Sequence, residues 1–215
     1  MHVVRLTDEA ATRREFTMNT NTTRCTTRRR GIAAAAAITV TTLAAVPAAV
    51  ATAAPYCGIY WGSLTKQDTD HTSAHITNLR AGRHDCFDRL VIDLGPPESG
   101  LPGPQDAGYA VRYVTQFVDD PSGEPVPLAG GAFLQIMVNA RAITDDYVPT
   151  YSPADRDHAV DVSGFRTFRQ VSFRGTDEAL TQIGLGVRAR LPFRVFQLAG
   201  PGGGSRLVID VAHQW

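Results

Sequence analysis

The chain has 215 residues, with 21 basic side chains balanced by 21 acidic ones, 43% hydrophobic residues and 20% charged residues. Those proportions exclude a disordered or collagen-like chain, and a formal charge of zero argues against a strongly basic binder of nucleic acid. What remains is a globular chain whose compartment and fold are easier to read than its task.

Residues 1–53 are unlike the rest. Arg28, Arg29 and Arg30 precede a charge-free stretch from Gly31 to Ala54, rich in Ala and Thr, that passes through Ala51-Thr52-Ala53. A positive cluster, an apolar run and small residues at its end are the parts of a secretory signal peptide, with cleavage expected after Ala53. A membrane anchor is the rival reading, but Pro47 and the Ala/Thr-rich run count against it. No transmembrane anchor is therefore expected once the leader is removed. Met18 is a candidate start, because Asp8, Glu9 and Glu15 sit badly ahead of a basic leader. The Arg cluster leaves Sec-type and twin-arginine export both open. Residues 1–53 hold seven Arg and three acids, so residues 54–215 carry 14 basic and 18 acidic side chains and a formal charge of −4.

Cys25 falls in the leader, leaving Cys57 and Cys86 as an even pair in a chain bound for an oxidising compartment. One disulfide is expected, closing a loop of about 30 residues and stabilising the fold by roughly 3–4 kcal/mol. Pro55-Tyr56 replaces the small residues a lipidated cysteine requires, and two thiols are too few for a structural zinc site.

From Tyr56 onward Gly and Pro punctuate the chain at short intervals, and the segments between them alternate with period two. Strands are predicted at His75–Arg80, Arg89–Leu94, Tyr109–Val118, Ala132–Ala140, Arg169–Arg174, Gln182–Leu191, Phe193–Leu198 and Arg206–Ala212. Seven or eight strands make one all-β domain, a single β-sandwich-like unit over residues 54–215. The only candidate helical turns are Pro153–His158, with Ser152 as cap, and Thr176–Ala179. One echo recurs: Arg89-Leu90-Val91-Ile92-Asp93-Leu94 and Arg206-Leu207-Val208-Ile209-Asp210-Val211 match at five of six positions. Either two half-domains are duplicated, with the two strands at equivalent places in two packed sheets, or the match is chance.

No catalytic constellation emerges. Asp68-Thr69-Asp70-His71 and Asp155-Arg156-Asp157-His158 hold metal-ligating side chains, yet nothing in their spacing brings them together, and solvated loops are the plainer reading. Ser63 lacks a nucleophile elbow, and neither Gly184-Leu185-Gly186 nor Gly202-Gly203-Gly204 opens a helix that would cradle a phosphate. No cofactor and no metal are expected. A sharper feature is charge: Arg166, Arg169, Arg174, Arg188, Arg190 and Arg194 face only Asp177 and Glu178 between residues 164 and 194. With Arg188 and Arg190 on the polar face of the strand Gln182–Leu191, an Arg-studded sheet face would receive carboxylates or phosphates. Pairing with Asp on neighbouring strands is the alternative. Tyr60 and Trp61 would stack on a sugar ring or, beside a disulfide, cap the core.

Four stretches carry a resemblance to a known family: Cys57-Gly58-Ile59-Tyr60-Trp61-Gly62-Ser63, Cys86-Phe87-Asp88-Arg89-Leu90-Val91-Ile92-Asp93, Gly164-Phe165-Arg166-Thr167-Phe168-Arg169-Gln170-Val171, and Leu191-Pro192-Phe193-Arg194-Val195-Phe196 running into the second Arg-Leu-Val-Ile-Asp. Together they resemble the secreted AMIN-like domain proteins of actinobacteria. The resemblance implies a small β-sandwich-like domain, distantly similar to the AMIN domains that direct periplasmic amidases and secretins to the cell envelope, and it carries over no catalytic residue. The resulting expectation is an exported, non-catalytic domain at the cell envelope that binds peptidoglycan or another anionic wall polymer through Arg166, Arg169, Arg188, Arg190, Arg194, Tyr60 and Trp61. A protein-interaction subunit that joins an envelope complex through a sheet edge is the alternative, and a secreted hydrolase the third.

Overall fold

Nine strands form among the described residues, 55–98 and 106–215 of the computed structural model. They are β1 (Lys66–Asp68), β2 (Ile76–Arg83), β3 (Phe87–Leu94), β4 (Tyr109–Val114), β5 (Ala132–Val138), β6 (Phe168–Asp177), β7 (Leu180–Val187), β8 (Phe193–Ala199) and β9 (Ser205–Ala212). The leader predicted for residues 1–53, with its cleavage point, lies outside the described residues.

All pairings between strands are antiparallel, and they build two sheets. One has the order β1-β4-β5-β7-β6 and the other β2-β3-β9-β8. The alternation seen in the sequence becomes a single core: Ile76, Leu90, Ile92, Leu207 and Ile209 of the second sheet and Val111, Leu134, Ile136, Ile183 and Leu185 of the first are all fully buried in it. Burying each such side chain contributes roughly 1.5–3 kcal/mol relative to leaving it in water. The Cys57–Cys86 disulfide forms as expected and ties the segment before β1 to the residue before β3.

The all-β expectation holds, with β1 as an unforeseen ninth strand and with shifted ends. Neither predicted helical turn is a helix. Residues 156–159 instead run along the free edge of β6, where Phe173 N–H donates to Arg156 O at 2.7 Å and Ala159 N–H to Val171 O at 2.8 Å. Thr176–Ala179 is the end of β6 and its hairpin turn into β7, and the described residues contain just one helical element, a 3-10 turn at Pro201–Gly203.

The echoed strands also need a correction. They do not occupy equivalent places in two sheets: β3 and β9 are hydrogen-bonded neighbours, running antiparallel. Val91 sits opposite Val208, Arg89 opposite Asp210 and Asp93 opposite Arg206, so the repeat is self-complementary about its central Val. The Leu and Ile side chains do enter one shared core, as the alternation predicts.

The two outer faces differ. On the first sheet β7 is buried along nearly its whole length, because the 115–131 connection lies over it. Gly184 and Gly186 make this possible: a Cβ on Gly184 would fall 2.6 Å from the Phe117 ring, and one on Gly186 2.0 Å from Ala129 O. Gln182 and Gln170 fasten the connection through their amides, to Asp120 N and Val118 O and to Ala129 N. The expected Arg-studded face on this strand therefore does not exist. β7 ends at Val187, and Arg188 and Arg190 follow it in the link to β8.

Candidate functional site: an arginine and aromatic sheet face

The outer face of the second sheet is set by register, since residues directly opposite in an antiparallel pair share a face. β2 contributes Arg80 and Gly82, β3 contributes Phe87, Arg89, Val91 and Asp93, β9 contributes Arg206, Val208 and Asp210, and β8 contributes Arg194, Phe196 and Leu198. Trp61 joins them at a corner. The left-handed pair Cys57 (φ 54°) and Gly58 (φ 71°) turns the chain, the disulfide anchors it, and Gly62 bridges to Phe193 at the start of β8. The indole N–H then donates to Tyr56 O at 3.0 Å.

At the centre of this face Asp210 is fully buried beneath two guanidinium groups. Arg89 clasps it bidentately, Nε to Oδ1 at 2.6 Å and Nη2 to Oδ2 at 2.9 Å, and Arg194 adds Nε to Oδ2 at 2.8 Å. Both guanidiniums also lie over aromatic rings: Arg194 is 5.4 Å from Trp61, 5.4 Å from Phe87 and 4.9 Å from Phe196, and Arg89 is 5.2 Å from Phe87 and 5.4 Å from Phe196. Fixed in this way, the planar cations lose little freedom when they meet an acidic partner. Next to them Arg80 clasps Asp93, Nε to Oδ2 at 2.7 Å and Nη2 to Oδ1 at 2.9 Å. The face thus carries Arg80, Arg89, Arg194 and Arg206 against Asp93 and Asp210, two positive charges in excess on a chain whose residues 54–215 are net negative.

The arginines singled out from sequence are dispersed. Arg194 is on this face, whereas Arg174 pairs with Asp119 at 3.3 Å and Asp157 at 2.7 Å at the other sheet. A hydrogen bond from Ser122, helped by Arg174, holds the Asp119 carboxyl below its ordinary value. Arg166, Arg169 and Arg188 gather where β6 begins, bonded to carbonyls of Asp85, Phe168 and His213, with no carboxylate in ion-pair range among the described residues. Arg190 lies 4.7 Å from the Tyr113 ring, and Tyr60 is exposed. Pairing with Asp on a neighbouring element thus accounts for Arg174 and Arg194 and not for the other four.

The two Asp/His motifs stay apart. Asp68 ends β1 at one edge of the first sheet, and Asp155–His158 runs beyond β6 at the opposite edge, with β4, β5, β7 and β6 between them. Asp155 accepts from the N–H of Asp157 at 2.8 Å and meets His158 Nδ1 at 3.0 Å, contacts that hold its carboxyl below the usual range. No group of three or more His, Cys, Asp or Glu able to hold a metal is assembled among the described residues.

Arg80, Arg89, Arg206, Phe87 and Phe196 were not singled out from sequence. For Arg89 and Arg206 the signal was the echo itself: in an antiparallel pairing, two Arg-Leu-Val-Ile-Asp strands place Arg against Asp at both ends of one face.

The family model described as the AMIN-like domain matches residues 74–213, nearly the whole of both sheets, and the chain belongs to this family. No curated protein and no solved structure matches. The family and the disulfide fit an extracytoplasmic location, and no helix among the described residues is long and apolar enough to cross a membrane.

Proposed function

We propose that this protein is an exported, non-catalytic β-domain that acts at the cell envelope by binding peptidoglycan or another anionic wall polymer. The carrying observation is the outer face of the second sheet, where four arginines and only two aspartates stand among Trp61, Phe87 and Phe196. Guanidinium forks suit carboxylate and phosphate groups, and the half-exposed rings offer apolar contact to the chain that carries them. Membership of the AMIN-like family and the disulfide support the envelope location.

The test is sedimentation of the purified protein with insoluble cell wall at low salt and at about 0.5 M salt. Exposed charge contacts weaken as the Debye length falls below about 8 Å, so retention should be strong at low salt and largely lost at high salt. Absence of retention at low salt would reject the reading.

A further inference from the structure

The self-complementary pairing of β3 and β9 should form two equal ion pairs, Arg89 with Asp210 and Arg206 with Asp93. Only the first forms. Arg80 on β2 takes Asp93 with both arms of its fork, and Arg206 turns instead to Ala199 O, Nε at 3.2 Å and Nη2 at 2.5 Å. Among the described residues a cation is thereby left without a carboxylate on a face that supplies one in register.

Arg206 is not alone at that spot. It lines a pocket of about 240 Å³ together with Arg80 and Arg89, floored by the buried Val91 and Val208. In all three guanidiniums the hydrogen bonds run from Nε and Nη2, and Nη1 makes none among the described residues. Asp93 and Asp210 thus hold two of the forks in place while leaving a donor on each, and Ala199 O does the same for the third. Gly82 keeps the rim open: a Cβ there would meet only His84, at 3.8 Å.

We infer that Arg80, Arg89 and Arg206 form an oxyanion site that takes one phosphate or carboxylate group, with the Val91–Val208 floor against the carbon skeleton bearing it. Three fixed cationic donors around one small cavity match the several acceptor oxygens of such a group. The source of the group, an acidic wall polymer, rests on the function proposed above.

Amide NMR of the purified protein, titrated separately with inorganic phosphate and with acetate, tests the site without any wall material. Saturable shifts are expected at Gly82, Val91 and Val208, and the anion that binds more tightly identifies the group. Arg206→Gln should weaken binding about tenfold, the equivalent of one charge-assisted hydrogen bond. It leaves no carboxylate unpaired, and a dispersed spectrum verifies its fold. A second variant, Gly82→Leu, keeps every charge but fills the rim, and should weaken binding as much. Shifts with neither anion, or shifts that both variants leave unchanged, would overturn the site. Wall retention of the wild-type protein is measured separately, so failure of the pocket and failure of the envelope reading are distinguishable.

Discussion

At the level of single residues, Tyr113 shows how a buried polar group leaves a measurable trace. Its hydroxyl donates to Leu191 O at 2.6 Å and accepts from Leu191 N–H at 3.0 Å, stapling β4 to the link before β8. Burial is the main reason the phenol is pushed up to about 12, opposed by its hydrogen bond to Leu191 and by the nearby Arg190. The fold therefore holds the protonated form, while the unfolded chain loses that proton near pH 10. The contribution is complete below about pH 10 and is lost as pH rises towards about 12, amounting to about 1–2 kcal/mol once partial solvent access is allowed for. Urea unfolding across this window should show Tyr113→Phe losing stability less steeply than wild type, and parallel slopes would refute the assignment. Asp88 is the residue the sequence hid for a local reason. A strand begun at Arg89 leaves it outside, whereas one further step of alternation puts it in phase with Leu90 and Ile92, facing the core.

Among elements, that same Asp88 joins the two sheets. Its buried carboxylate accepts the N–H groups of Thr167 at 2.5 Å and Phe168 at 3.1 Å, where β6 begins, and lies 3.2 Å from His213 Nε2. Asp88→Ala should cost about 3–5 kcal/mol in urea unfolding, because two buried donors lose their acceptor and His213 loses its partner. A loss below about 1 kcal/mol would mean that the sheets are held by apolar packing alone. The β6–β7 hairpin makes an opposite prediction. Its two turn residues, Glu178 at φ 46° and Ala179 at φ 81°, adopt left-handed conformations that Gly accepts without a Cβ clash. Ala179→Gly should raise stability by about 1 kcal/mol, and destabilisation would show that the turn is held differently. Strands were the legible elements, since alternation reflects a half-buried sheet. Their partners were not: the likeness of β3 and β9 is equally compatible with equivalent places in two sheets and with the neighbouring antiparallel pair that forms. The predicted strand Tyr109–Val118 stops at Val114, and the segment that follows it to Gly131 lies against β7, an approach that only Gly184 and Gly186 permit.

For the molecule as a whole, the separation of charge matters more than its sum. Residues 54–215 are net negative, so attraction to a polyanion has to be local, and two basic regions are available: the sheet face around Arg89, Arg194 and Arg206, and the corner holding Arg166, Arg169 and Arg188. Sequence pointed to a run of arginines because they are close along the chain; pairing and chain turns disperse them, and the face that gathers charge draws on β2, β3, β8 and β9. The face also carries the aromatic rings, which the corner arginines do not contact. The most direct test is wall sedimentation at low salt of wild type, of the face variant Leu198→Glu with Arg206→Gln, and of the corner variant Arg166→Gln with Arg169→Gln and Arg188→Gln, each shown to be folded by circular dichroism. Leu198 is 41% exposed, so a carboxylate there reaches the ligand side without entering the core. The face variant should lose retention about tenfold or more while the corner variant stays within about twofold of wild type; equal retention of the face variant and wild type would contradict the assignment of binding to this sheet.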